Sequence, residues 1–182
     1  SRFIRREGRP SDEAILTGRM IDRAIRPRFA KEFKKNTQVI VTCLSWDGKN
    51  DPDVLGLIAA STALSISNIP FNGPVGIIRV GKINGEFIFN PTYEERQKGD
   101  MDLLLAGILK DEKVLINMIE MGGKEVSEED VMKATKTAEP EMKKIIEFQS
   151  NIAKEIGKEK FTVPIISDPE VEKEVQEFTK QN

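Results

Sequence analysis

Residues 75–90 read VGIIRVGKINGEFIFN. Two β-rich runs, VGIIRVGKI and EFIFN, flank Asn84-Gly85, the dipeptide that most readily supplies the positive φ angles of a type I′ turn. A β-hairpin is therefore predicted here. A second is predicted from Asp102–Ile108 and Val114–Met121, joined across Lys110–Lys113. Upstream, the β-branched run Thr37–Leu44 predicts a buried strand, with Cys43 in VIVTCL as a buried strand residue, ending in the turn-rich SWDGKNDPD.

Helices are predicted around these strands. Ser11 followed by Asp12 and Glu13 reads as an N-cap with acids in the first turn, opening a helix that stops near Ile25, before Pro27. Its apolar face is Ala14, Ile21 and Ile25 with Leu16 and Met20 beside them, and Arg19, Arg23 and Arg26 form a basic stripe at i, i+4 and i+7. Val54–Ser67 reads as a buried helix whose Gly56, Ala59, Ala60 and Ser61 permit close packing on a sheet, closed by Ile69-Pro70-Phe71. Ser127 with Glu128 and Glu129 opens a long helix to about Ile156, bent or interrupted near Pro140 and ended by Gly157. Residues 161–166 read as a linker, and Ser167-Asp168-Pro169 starts a last acidic helix. The fold class is α/β, a mixed sheet with flanking helices.

At 182 residues, 38% hydrophobic and 32% charged, the chain has the length and composition of a soluble domain with a proper core, or of one domain plus a piece of another. No apolar run is long enough to cross a bilayer. The start, Ser1-Arg2-Phe3, carries neither methionine nor a signal-like stretch, which is expected of a piece of a longer, non-secreted protein. The single cysteine excludes an internal disulfide framework and fits a reducing, cytoplasmic setting. Histidine is absent, which removes Ser-His-Asp and Cys-His catalysis and most zinc sites. Whatever chemistry occurs must use carboxylates, lysine, arginine, backbone groups or an oxygen-bound metal.

Charge is distributed unevenly. Up to residue 35 there are eight arginines and three lysines against five acidic residues, a local balance of +6 in a chain whose total is −2. Such a basic end on an acidic protein points to a polyanionic partner. The alternative for the helical stripe is a solvated face paired with Asp22 and its neighbours.

Several segments occur together in an order that is specific: Phe3-Ile4-Arg5-Arg6-Glu7-Gly8-Arg9-Pro10-Ser11, Arg19-Met20-Ile21-Asp22-Arg23 with Ile25-Arg26-Pro27, Asn50-Asp51-Pro52-Asp53, Ile69-Pro70-Phe71-Asn72-Gly73-Pro74, Asn90-Pro91-Thr92, and Asp102 to Gly107 followed by Met118-Ile119-Glu120. Over residues 2 to 157 the chain resembles the first RNase PH-like core domain of the bacterial polynucleotide phosphorylase family. The resemblance implies a ribosomal protein S5 domain 2-like architecture lacking its N-terminal strands. Residues 1–160 would be a partial first core, and 161–182 the linker and start of an all-helical domain.

The same resemblance implies a phosphorolytic 3′-to-5′ exoribonuclease. Phosphate attacks the terminal RNA linkage and releases a nucleoside diphosphate, in a homotrimeric ring that threads single-stranded RNA and can join a larger RNA-degradation complex. The family's second core is the catalytic one, with a serine-rich phosphate loop and a metal site of the form Asp-x5-Asp-x-Lys. Laid over that pattern, this chain offers Asp51-Pro52-Asp53 at the serine loop and Arg96, Asp102 and Leu104 at the metal site. Two carboxylates and a proline repel phosphate or fail to donate to it, and a cation and an apolar side chain do not hold Mg²⁺. No catalytic or metal-binding residue is therefore expected here, with Mg²⁺ and inorganic phosphate bound outside the segment. Asp51 and Asp53 are read as turn and N-cap residues, and Asp102 as structural.

The loop Phe3-Ile4-Arg5-Arg6 resembles the family's Phe-Phe-Arg-Arg loop at the ring constriction. An aromatic face stacks on a base while guanidiniums pair with phosphates. Ile4 departs from the pattern, supplying apolar contact without a π-face. Arg9, Arg19 and Arg23 are the further candidates for RNA or phosphate contact, with salt bridges to the protein's own carboxylates as the alternative. Phe29, Phe33, Trp46 and Tyr93 are read as core or interface packing. The alternative function is a stand-alone RNA-binding or ring-scaffolding module without catalysis.

Overall fold

The structure, a computed structural model, describes residues 8–163 and 169–181. Both predicted hairpins form. Strands β1 (Gly76–Ile83) and β2 (Glu86–Phe89) pair antiparallel, with Ile83 opposite Glu86 across Asn84 (φ 51°) and Gly85 (φ 86°), the two positive angles that the turn requires. Strands β3 (Met101–Lys110) and β4 (Lys113–Gly123) turn through Asp111 and Glu112, again both at positive φ. The sheet order is β2-β1-β3-β4, and all these pairings are antiparallel.

Helices cover both faces. Helix α1 (Asp12–Ile25) and helix α2 (Asp53–Ile66) pack on one face, where Ile21, Ala24, Leu57 and Leu64 meet Ile77, Leu104 and Ala106. The opposite face, with Ile78, Val80, Leu103 and Leu105, takes helix α4 (Glu128–Ile156) through Ala134, Ala138, Met142 and Ile146. These four follow a spacing of four, one ridge of a helix. Central strand β1 is buried on both faces from Gly76 to Gly81, which explains why it reads as an almost unbroken apolar run. A short helix α3 (Tyr93–Lys98), held by a Thr92/Glu95 capping box, leads into β3. Helix α5 (Pro169–Gln181) follows.

The predicted cap of α1 is present: Ser11 Oγ accepts from Ala14 N at 3.1 Å. The predicted apolar face is shifted, since Ala14 and Leu16 are exposed and the buried residues are Met20, Ile21, Ala24 and Ile25. Only the C-terminal half of the helix lies over the sheet. A β-bulge fixes it there. Ala106 pairs with Met118 but Gly107 with Ile116, leaving Asn117 as the extra residue, and its Nδ2 donates to Ala24 O at 2.9 Å.

Two expectations are corrected. Thr37–Leu44 is not a buried strand: the segment has no ladder partner among the described residues, and Ile40, Val41, Cys43 and Leu44 are exposed. Strand propensity measures how well side chains fit a pleated, half-covered surface, and without a neighbouring strand that preference yields no ladder. A cleft of about 1180 Å³ lies between this segment, α1 and α2, lined by Ile21, Phe29, Val41 and Leu55 among others. Secondly, α4 runs uninterrupted through Pro140. Its apolar ridge continues on both sides of the proline, and packing of Ala138 and Met142 against the sheet outweighs the one hydrogen bond that proline cannot donate. No helix among the described residues is long and apolar enough to cross a membrane.

Candidate nucleic-acid interface and the ion-pair cluster behind it

Of the residues assigned to RNA, Phe3, Ile4, Arg5 and Arg6 lie outside the described residues. Arg9 is exposed in the loop entering α1, and Arg19 is exposed on α1; neither has a side-chain partner among the described residues. Arg23, one turn further on, is bonded to Glu120 on β4. Arg26, the C-cap residue of α1, is chelated by Asp22 one turn earlier, with Nε 3.0 Å from Oδ2 and Nη2 2.7 Å from each oxygen. The stripe therefore grades from Arg19, without a partner among the described residues, to the neutralised Arg23 and Arg26 at its C-terminal end. The salt-bridge reading of the stripe therefore describes Arg23 and Arg26. The partner of Arg23 was not identified from sequence, because Glu120 is 97 positions away.

The residues laid over the phosphate loop and metal site converge behind α1, at the N-terminus of α2. Arg79 stands on the α2 face of β1. Its Nη1 donates to both oxygens of Asp102, at 2.8 and 2.9 Å, across Gly81, which opposes Asp102 in the ladder and has no side chain to block the reach. The other terminal nitrogen bonds Asp53 and lies 3.6 Å from Asp51. Arg96, presented by α3, donates to Asp51 at 2.9 Å and to Asp102 Oδ2 through Nε at 2.9 Å. Three carboxylates and two guanidiniums thus satisfy one another. Asp51 and Asp53 also accept from the amides of Asp53 and Val54 at 3.3 and 2.6 Å, so the expected turn contact of Asp51 exists beside the ion pairs, but the expected cap does not form: Pro52 stands at the N-cap of α2, Asp53 is its first residue, and no side chain makes a cap bond there.

The electrostatics follow from burial. Desolvation, with repulsion from Asp51, pushes the Asp53 carboxyl above its usual value in spite of Arg79. Burial disfavours the Arg79 charge, but Asp53, Asp102 and Asp51 outweigh it and hold the guanidinium above its ordinary value. Arg79 Nε is buried without a partner among the described residues. A divalent cation does not fit this donor set: Asp102 already takes four guanidinium contacts, and Leu104 is packed in the core. Among the described residues no group of three or more His, Cys, Asp or Glu side chains is arranged to hold a metal. Arg79 is the functional-looking residue that sequence reading missed. An arginine in the middle of the apolar strand GIIRVG was the available signal, since a buried charge requires partners.

Next to the cluster, Trp46 is half-exposed, meets Tyr93 edge-on at 6.0 Å and donates its indole N–H to Asn50 O at 2.6 Å, while Arg96 lies over the Tyr93 ring. Phe29 packs between Phe33 and Phe71.

An antiparallel sheet sandwiched by helices, with an arginine stripe on α1 and a self-neutralised charge cluster at the N-terminus of α2, makes an α/β domain. Residues 1–70 match domain 1 of the 3′ exoribonuclease family and residues 73–141 match domain 2, and the chain belongs to that family. It is similar to polyribonucleotide nucleotidyltransferase of Finegoldia magna, 49% identical over 178 residues, and of Thermus thermophilus, 49% identical over 173 residues. These alignments take in 97% and 94% of the chain but 24% of each relative, so the chain spans about a quarter of the length of the curated relatives it matches. A solved structure of rice (Oryza sativa) Rrp46 shares the fold, with a TM-score of 0.57 and 16% identity over 81% of this chain and 67% of that one.

Proposed function

We propose that this chain is the RNA-guiding, non-catalytic core of a phosphorolytic 3′-to-5′ exoribonuclease that converts RNA and inorganic phosphate to nucleoside diphosphates in mRNA degradation. The relatives' common name, polyribonucleotide nucleotidyltransferase, supports the reaction class. The observation that carries the division of labour is the closed cluster: Asp51, Asp53 and Asp102 are all engaged by Arg79 and Arg96, so that none of these three carboxylates is left open for a metal. Mg²⁺ and phosphate would bind elsewhere in the whole protein, which in this reading is a cytoplasmic homotrimeric ring able to join a larger RNA-degradation complex.

Within that reading the Arg5/Arg6 loop, with Phe3 and Ile4, grips single-stranded RNA, and Arg9 and Arg19 extend the track. Free guanidiniums on an exposed face suit sequence-tolerant phosphate contact. Two measurements test the proposal. Replacing Arg5 and Arg6 by alanine in the whole protein is expected to weaken single-stranded RNA binding and flatten its salt dependence; unchanged affinity and slope would overturn the RNA assignment. Phosphorolysis of RNA by the purified 182-residue chain with Mg²⁺ and phosphate is expected to be nil, and turnover would overturn the non-catalytic assignment.

A further inference from the structure

We infer that Glu120 is an affinity-setting residue: a carboxylate of β4 that occupies Arg23 in place of an RNA phosphate and yields it when a strand is present. The inference rests on the RNA-guiding reading of α1 and adds to it a residue of opposite charge.

The stripe of α1 supplies the contrast. Arg19 has no partner among the described residues. Arg26, the C-cap residue of α1, is held by Asp22 four residues earlier, an arrangement that moves with the helix and persists wherever the helix goes. Arg23 alone is held by a residue from another element. Glu120 lies on the edge strand β4, and the two side chains are 52% and 55% exposed, so the pair stands in water at the rim of the sheet. An exposed carboxylate–guanidinium pair is weak and exchangeable. A phosphate offers the same guanidinium the same forked acceptor geometry, with the added potential of a polyanion.

The location of Glu120 is not accidental to the fold. Three residues before it, the β-bulge at Asn117 ties β4 to Ala24 O, one residue beyond Arg23. The bulge therefore fixes the distance between helix and strand at the point where Arg23 and Glu120 meet, and the carboxylate is presented to Arg23 by the backbone rather than by a mobile loop. In functional terms, a strand passing along α1 meets a permanent cation at Arg19 and a conditional one at Arg23. A conditional contact limits how tightly each register of the strand is held, which suits a track along which RNA must step.

Filter binding or fluorescence anisotropy with single-stranded RNA, on the whole protein across a salt series, tests this. Glu120→Gln is expected to tighten binding by roughly 2- to 5-fold, the free-energy range of an exposed ion pair, and to steepen the salt slope by about 0.7, because no carboxylate then takes up a cation when Arg23 passes to a phosphate. Arg23→Ala is expected to weaken binding by less than about 2-fold, because Arg23 is already neutralised. The double variant is expected to match Arg23→Ala, since Glu120 then has nothing to release. Glu86→Gln, which removes the same charge at the β1–β2 turn, is expected to leave the slope unchanged. The inference is overturned if the double variant keeps the gain, if Glu86→Gln reproduces it, or if Glu120→Gln changes nothing while Arg5→Ala and Arg19→Ala weaken binding. If Arg5→Ala and Arg19→Ala also leave binding unaltered, the RNA-guiding reading falls as well.

Discussion

The guanidinium of Arg96 closes on one oxygen of Asp102, with Nε at 2.9 Å and Nη2 at 2.7 Å, while Arg79 takes both oxygens from the other side. Asp102 is thus shared, and so is Asp51, between the same two arginines. The two differ in depth: the Arg79 side chain is 9% exposed and that of Arg96 23%. Arg79→Met is expected to destabilise the protein by about 3–5 kcal/mol, because it strands the buried Asp53 carboxylate without a counter-charge. Arg96→Met is expected to cost less than about 2 kcal/mol, since water reaches the groups it leaves. Urea denaturation of both variants measures the difference, and equal losses would mean that burial does not set the energetics of the cluster.

Close packing between β1 and α4 gives a second expectation. A Cβ on Gly76 would stand 2.7 Å from Ile146 Cγ1 and 2.8 Å from Met142 Cγ, with the Met142 carbonyl oxygen at 3.0 Å. Ile146 and Met142 are fully enclosed and have no free space to retreat into. Gly76→Ala should therefore cost about 1–3 kcal/mol through overpacking. Gly122→Ala, whose Cβ would meet nothing within 4 Å, is the control and should be nearly neutral by thermal denaturation.

These two sites show what the sequence carried and what it withheld. Asn84-Gly85 announces its hairpin because the turn chemistry is local, and Ser11 and Ser127 announce their helices for the same reason. Thr37–Leu44 misleads because strand propensity is a statement about neighbours, and no ladder partner lies beside it among the described residues. The ion-pair cluster was legible only in halves. Asp51, Asp53, Asp102 and Arg96 were picked out by resemblance, but the residue that joins them is Arg79, whose partners lie 26 and 23 positions away. Arg23 and Glu120, 97 positions apart, meet only because a bulge at Asn117 sets α1 against β4.

The N-terminus of α4 gives the pH dependence. Asp130 accepts from Lys82 Nζ at 2.7 Å and from the Ser127 hydroxyl at 2.9 Å, and these bonds hold its carboxyl below the usual value. With the folded-state value depressed, the unfolded chain binds the proton first. The contribution of Asp130 is complete above the unfolded value, about 3.9, and is lost as pH falls through the folded one. Between about pH 5 and about pH 3 the parent protein should lose more stability than Asp130→Asn does. Asp53 has the opposite sign, because burial raises its carboxyl and protonation on acidification relieves the fold. Asp130→Asn should flatten the acid limb of stability against pH and Asp53→Asn should steepen it. Shifts in the same direction would contradict the assignment of these two environments.

Lys160 reaches back from beyond α4 to the C-terminus of α2, where its Nζ donates to the carbonyls of Leu64, Ser65 and Ser67 at 2.8, 2.9 and 2.6 Å. Those carbonyls belong to the negative end of the helix and its first residues beyond, where an ammonium is favoured even though burial pulls the Lys160 pKa down. The backbone alongside is bonded too: Lys158 N to Ile66 O at 2.9 Å and Phe161 N to Asn68 O at 2.8 Å, with Lys35 Nζ 5.0 Å from the Phe161 ring centroid. The strap leading toward α5 is therefore fastened chiefly by one side chain meeting three acceptors that helix geometry leaves unpaired. Lys160→Met keeps the stem and removes the donors, and is expected to cost about 1–2 kcal/mol. Hydrogen exchange gives the local reading, with the amides of Lys158 and Phe161 losing protection while those of Ala106 and Leu105 in β3 keep theirs. If the two strap amides stay protected, the backbone bonds alone hold the strap and Lys160 serves only to neutralise the end of α2.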